Sequence, residues 1–168
     1  ICLSPNFRVA SELDAWLLAR EHFDRFTLDY YRPLGNPTRY LKALLTHFAR
    51  AKDEAIRPED YLAFAESEAA NLDASTSNEE MTSQVARSKE LAGAYHTYQQ
   101  ILLEHDALDF GDLICYALEL VRRRPHVLAR IQDRYRYLLI DEFQDTNWTQ
   151  YELVKVLAGK KKNLTVVG

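Results

Sequence analysis

Residues 138–147, Leu-Leu-Ile-Asp-Glu-Phe-Gln-Asp-Thr-Asn, hold the densest chemistry in the chain. Together with Tyr137 the first three make a continuous apolar run that stops at two acids. A run of this length predicts a strand buried on both faces, as in a parallel sheet. Open α/β sheets bind ligands at the carboxyl ends of their strands, so both acids are delivered where a ligand would sit. Asp141 offers hard oxygen donors and is placed to hold Mg²⁺, chiefly through the ion's water shell. Glu142 faces the other way in an extended chain and is placed to orient or deprotonate an attacking water. The pattern taken by itself also describes a strand end capped by solvated acids, and Gln144 and Asp145 equally suit local capping and a turn hydrogen bond.

The elements that must carry these residues follow from punctuation and periodicity. A helix from about Trp148 to Leu157 closes at Gly159, and Leu164-Thr165-Val166-Val167 offers a second strand. Strand, helix, strand is a βαβ unit, and two strands cannot bury both faces of a sheet by themselves. Upstream the character is helical. Ser11 is placed to cap a helix from Glu12 to about His22, with Leu13, Ala15, Trp16 and Leu17 as its partial apolar face. Asn36 and Pro37 predict an N-cap and first helical position, followed by Leu41, Leu44, Leu45 and Phe48 at helical spacing. Pro58 opens another helix. Residues 71–78 read as a loop, with Ser77 and Glu80 as a capping box. A long helix follows to Glu104, with Met81, Val85, Ser88, Ala92, Tyr95 and Leu102 in a near-heptad stripe. Asp109 is placed to cap a helix with Phe110, Leu113, Ile114, Ala117, Leu118 and Val121 on one face, and Pro125 opens a short helix to about Arg134. The fold class is therefore mainly α: a helical subdomain over 1–135, then a partial α/β segment over 136–168.

Composition removes other function classes. The chain has 168 residues with 21 Lys plus Arg and 25 Asp plus Glu, a formal charge of −4. That balance gives no broad attraction to nucleic acid but leaves room for a local basic strip. No stretch reaches the roughly 18–20 apolar residues that span a bilayer, and no signal pattern opens the chain. Cys2 and Cys115 form no Cys-x-x-Cys pair, which fits a reducing compartment and a cytoplasmic location. The five histidines are scattered without zinc-ligand spacing. Only five glycines are present, against the roughly 7% usual for proteins, which argues against hairpin-rich folds and a Gly-rich phosphate loop. Indeed no Gly-x-x-x-x-Gly-Lys-Ser/Thr occurs. Gly159-Lys160-Lys161-Lys162 reads as a solvated turn after a helix C-terminus.

The acid-bearing strand has the physics of a Walker B site, and its wider context is more specific. Asp141-Glu142-Phe143-Gln144-Asp145-Thr146-Asn147, with Gln150 three residues on, resembles motif II of the UvrD/Rep-like superfamily 1 (SF1A) DNA helicases. Leu164-Thr165-Val166-Val167-Gly168 looks like the start of the next motif of that family. Ala107-Leu108-Asp109-Phe110-Gly111-Asp112-Leu113-Ile114 is similar to a further family segment, departing from it at Gly111, where the family often has an acid. Residues 50–61 resemble another. The glycine departure predicts a small helix cost and no functional change.

The resemblance implies a helical 1B-like insertion over 1–135, then strand, helix and strand of a RecA-like (P-loop NTPase) motor domain. With its Ile1 start and Met81 as the single methionine, the chain reads as processed or as an excerpt of a longer protein. The complete enzyme would couple Mg²⁺-dependent ATP hydrolysis to 3′-to-5′ movement on single-stranded DNA and to strand separation, with DNA single strands and ss/ds junctions as partners. The resemblance implies Asp141 as the Mg²⁺ residue and Glu142 as the catalytic one. Gln144 and Asp145 would link the nucleotide site to neighbouring motor elements. The isolated chain is expected to be inactive, because the phosphate loop is absent. Arg50, Lys52 and Arg57, and separately Arg122, Arg123, Arg124 and Arg130, are candidate DNA-backbone contacts, beside the plainer reading as solvated helix faces. Tyr30-Tyr31 and Tyr95/Tyr98 suit core packing ahead of base stacking. Three other readings stand: the motor of a helicase-nuclease, a non-catalytic helical interaction module, and another ATPase family with a Walker B strand. The last leaves Gln144-Asp145-Thr146 and Gln150 unexplained.

Overall fold

The computed structural model describes residues 3, 5–71, 79–160 and 162–168. The elements in order are β1 (Arg8–Val9), α1 (Glu12–Glu21), α2 (Leu41–Asp53), α3 (Pro58–Ala70), α4 (Glu79–Glu104), β2 (Ala107–Leu108), α5 (Phe110–Arg123), α6 (Pro125–Arg134), β3 (Leu138–Ile140), α7 (Trp148–Ala158) and β4 (Leu164–Val166). The described residues are mainly helical with two small parallel sheets, β1 with β2 and β3 with β4. It divides into two compact units. A helical unit holds Leu3–Ala51 and Ile56–Asp109; a strand-bearing unit holds Lys52–Ala55 and Phe110–Gly168. Compactness thus groups α5 and α6 with β3, although the sequence changes character only near residue 136.

The core of the helical unit is built on α2 and α4. Leu41, Leu44, Phe48 and Ala51 keep helical spacing and are buried. Phe48 stacks on Tyr95, with centroids 5.0 Å apart, and on Tyr98, at 5.6 Å. Each tyrosine satisfies its hydroxyl inside the unit, Tyr95 donating to the Ile56 carbonyl at 3.1 Å and Tyr98 to Asp109 Oδ2 at 2.9 Å. These two aromatics are core residues. Tyr30, by contrast, is 52% exposed, with the Arg87 guanidinium 3.9 Å above its ring.

Three expectations need correction. Helix α2 starts at Leu41, because residues 36–41 close as successive turns, with Arg39 N–H donating to Asn36 O and Leu41 N–H to Thr38 O. Helix α1 buries Ala15, Leu18 and Ala19, leaving Leu13 and Leu17 exposed. Its small residues admit close packing, so the buried face is rotated from the one marked by the largest side chains. Strand β3 is not buried on both faces: Leu139 is 71% exposed, because its face of the two-stranded β3–β4 sheet is left open to solvent among the described residues. The stripe on α4 is buried at Ala92, Tyr95 and Leu102 and exposed at Met81. The expected Ser77 capping box lies outside the described residues.

Helix α2 ends in a Schellman pattern, with Ile56 N–H donating to Ala51 O and Ala55 N–H to Lys52 O. Ala55 therefore sits at φ 57, where glycine is the unstrained choice. Ala55→Gly is expected to raise stability by about 1 kcal/mol, read from the urea midpoint at unchanged slope.

Helices α1 and α7 each begin with a reciprocal cap, Ser11 with Asp14 and Asn147 with Gln150. Hydrogen bonds from the Ser11 hydroxyl and backbone hold the Asp14 carboxyl below its ordinary value. A depressed carboxyl contributes stability that is present above its unfolded value and lost as pH falls through the folded one. Acidification below the usual carboxylate range is expected to fray the start of α1 but leave the start of α7 intact, because Gln150 does not titrate. Amide exchange at Asp14 and Gln150 against pH measures this.

Candidate functional site

The strand-bearing unit places the acids where the apolar run ends. β3 and β4 pair in parallel register, Leu138 with Leu164, Leu139 with Thr165 and Ile140 with Val166. One residue beyond β4, Val167 donates its N–H to Ile140 O and accepts from Phe143 N–H, both at 2.9 Å. Those two bonds fix the chain on either side of Asp141 and Glu142. Asp141 is exposed at the strand's carboxyl end, and its Oδ1 accepts from the Glu142 N–H at 3.0 Å.

Glu142 does not continue the strand. It adopts φ 50, ψ 45, a left-handed conformation costly for a residue with a β-carbon. The alternation expected of an extended chain therefore does not set its direction; the left-handed turn does. Its Oε2 accepts from the Gln144 side-chain amide, and its carbonyl accepts from the Asp145 N–H at 2.9 Å. Residues 143–145 form a single 3-10 turn. The structure thus brings Asp141, Glu142 and Gln144 into one hydrogen-bonded group, while Asp145 joins through its backbone with an exposed side chain. The cap of α7 is supplied instead by Asn147, whose Oδ1 accepts from Gln150 N–H at 2.9 Å.

The donors at this strand end are carboxylate and amide oxygens, with no thiol or imidazole in the 141–147 run. Such hard donors suit Mg²⁺, which takes one or two carboxylates and fills its other positions with water and phosphate oxygens. Among the described residues no group of three or more His, Cys, Asp or Glu side chains is arranged as a metal cage. A site that borrows ligands from a phosphate chain does not need one.

The family model for the UvrD/REP helicase N-terminal domain matches residues 2–168. The chain belongs to that family. A UvrD/REP relative, the ATP-dependent DNA helicase PcrA of Leuconostoc citreum, is 35% identical over 127 residues, which are 76% of this chain and 15% of the relative. PcrA of Staphylococcus aureus is 49% identical over 81 residues, 48% of this chain and 11% of that protein. The chain thus spans about 11–15% of the length of these curated relatives. Among the described residues no helix is long and apolar enough to cross a membrane.

Sequence reasoning missed how this UvrD/REP segment is anchored. Lys52 and Asp112 form an ion pair at 2.8 Å with side-chain exposures of 2% and 4%. Lys52 is therefore withdrawn as a DNA contact: its ammonium is consumed inside the strand-bearing unit. Gly111 has a reason the sequence did not reveal, since a β-carbon there would lie 2.9 Å from Lys52 Cβ and Cδ. The Asn147 side-chain amide donates to Asp53 Oδ1, and the buried Thr149 hydroxyl lies 2.5 Å from Lys52 O and 2.9 Å from Asp53 O. Lys52 O also accepts from the Ala55 N–H, and the Thr149 hydroxyl adds a donor to this carboxyl end of α2 from the first turn of α7. A signal was present in the sequence: a lysine inside one family-like segment, residues 50–61, and an acid after Gly111 inside another, residues 107–114.

Arg50 is exposed in the helical unit, and Arg57 there pairs with Asp60 at 3.1 Å. In the strand-bearing unit Arg122 pairs with Glu152 at 2.6 Å and Arg123 with Glu119 at 2.9 Å, while Arg124 and Arg130 are exposed.

Proposed function

We propose that this chain carries the Mg²⁺- and water-handling carboxylates of the first motor domain of a UvrD/Rep-like (SF1A) DNA helicase. On this reading residues 1–135 are the helical 1B-like insertion and residues 136–168 are RecA-like strand, helix and strand. The whole protein would hydrolyse ATP to move 3′-to-5′ on single-stranded DNA and to open duplex. The observation that carries the proposal is the pair Asp141-Glu142 at the carboxyl end of β3, with Glu142 turned out of the strand and held by Gln144, in a chain of this family.

The residues divide the work. Asp141 would hold Mg²⁺, with its Oδ1 already oriented by the Glu142 N–H. When bound, the ion neutralises charge on the transferred phosphate. Glu142 would accept the proton of the attacking water on its carboxylate, which the Gln144 amide holds in one orientation. Asp145 and Gln144 would pass the state of this turn to neighbouring motor elements. Arg50 and Arg57 stand as candidate backbone contacts for DNA, and phosphate contacts of this kind weaken steeply with salt.

Phosphate release with Mg-ATP tests the reading. The isolated chain, which has no phosphate loop, is expected to release none with or without single-stranded DNA. The parent protein is expected to release phosphate in a DNA-stimulated manner and to lose it on Asp141→Ala. A parent without DNA-stimulated hydrolysis, or an Asp141→Ala parent that hydrolyses normally, overturns it.

A further inference from the structure

In the helical unit His22 and His105, 83 residues apart in sequence, bring their Nε2 atoms to 3.2 Å. His22 is the C-cap of α1, and His105 follows the last residue of α4. The rings are tilted by 49° with centroids 4.8 Å apart, so the nitrogen edges make the close approach rather than the ring faces. His105 Nδ1 lies 2.8 Å from the Ile101 carbonyl. A carbonyl only accepts, so Nδ1 carries the proton, and Nε2 of the neutral ring turns a lone pair toward His22.

We propose that the two Nε2 atoms chelate one late first-row divalent cation, Zn²⁺, Ni²⁺ or Cu²⁺. Two metal–nitrogen bonds of about 2.0–2.1 Å at a tetrahedral angle separate their nitrogens by about 3.3–3.4 Å, close to the spacing already present. The His105 Nδ1–H on a backbone carbonyl is the outer-shell arrangement that fixes tautomer and ring direction in metal-ligating histidines. Both imidazoles sit at the carboxyl ends of helices, where the backbone dipoles favour positive charge. His105 is exposed and His22 half-buried, so the ion has an entry path. The neighbouring Glu104 carboxylate is engaged by both arms of Arg25, at 2.5 and 2.9 Å, and water completes the coordination. In the metal-free chain the hydrogen bond between the rings needs the His22 proton on Nε2; binding moves it to Nδ1. The bound ion would tie the end of α1 to the end of α4.

Untagged protein titrated with NiCl₂ or ZnCl₂ in a calorimeter is expected to take one equivalent per chain and to melt at a higher temperature when loaded. His22→Ala and His105→Ala should each weaken binding at least tenfold, whereas His126→Ala should not change it. Metal-free melting of each variant reports whether it folds. Independently of any variant, the Cu²⁺-loaded wild-type chain should show electron paramagnetic resonance coupling to two imidazole nitrogens. Retention of binding in either folded variant, no saturable uptake by the wild type, or coupling to one nitrogen or none overturns the site.

Discussion

On the proposed function, Glu142→Gln in the parent protein is expected to lower DNA-stimulated ATP hydrolysis by roughly 10²–10⁴-fold, the range for losing a positioned general base. The substitution keeps size and hydrogen-bonding reach but removes the proton acceptor. The chain conformation should survive it, because the left-handed turn at Glu142 is held by backbone bonds, Asp145 N–H to Glu142 O and Phe143 N–H to Val167 O. Nucleotide and single-stranded DNA binding should therefore remain near wild type, since neither needs a base. A falling turnover at unchanged affinity is the signature of an interaction made only in the transition state. Gln144→Ala supplies the graded comparison: it leaves the base but frees its orientation, so its loss should be smaller than that of Glu142→Gln. Single-turnover phosphate release with filter-binding of nucleotide separates the two quantities. A Glu142→Gln protein that hydrolyses at the wild-type rate would remove Glu142 from the water-handling role.

Local chemistry was legible before the fold was known; spatial partnership was not. Ser11 marks a helix end through its capping hydroxyl and Pro58, Pro125 and Gly159 through backbone geometry, and each sits at the boundary it predicts. Asn36-Pro37 carries the same local signal, yet the helix waits until Leu41, where buried Leu41 and Leu44 reward helical pairing. The strand and its two acids were readable because an apolar run cut by charge has few other uses. The left-handed backbone of Glu142 was not, since no residue type there demands it. The Asp53 contact of Asn147 and the contacts of Thr149 are hidden from the sequence for the same reason that Lys52 reads there as a DNA contact. Their partners are 94–97 residues away for the first two, and a lysine in a basic stretch looks solvated until an aspartate is found beside it.

That aspartate sets the largest stability effect expected in the chain. Lys52 Nζ and Asp112 Oδ1 are 2.8 Å apart and nearly without solvent. Removing one partner strips a buried charge of this counter-ion, so Lys52→Met and Asp112→Ala are each expected to cost about 3–5 kcal/mol. Helix ends reinforce the pair: the cation stands in the last turn of α2 and the anion in the first turn of α5, the favourable sense for both dipoles. The double variant Lys52→Met/Asp112→Leu should recover most of the loss, because two apolar side chains of similar volume carry no desolvation debt. Strong non-additivity between single and double variants is thus the expected outcome of a urea-unfolding cycle. Additive losses would mean that the two side chains contribute by packing alone. The same cycle bears on the candidate site, because Lys52 and Asp53 also present the carbonyls that Thr149 caps. If the ion pair holds that turn of α2 in place, Lys52→Met should raise amide exchange at the start of α7, and the double variant should restore its protection.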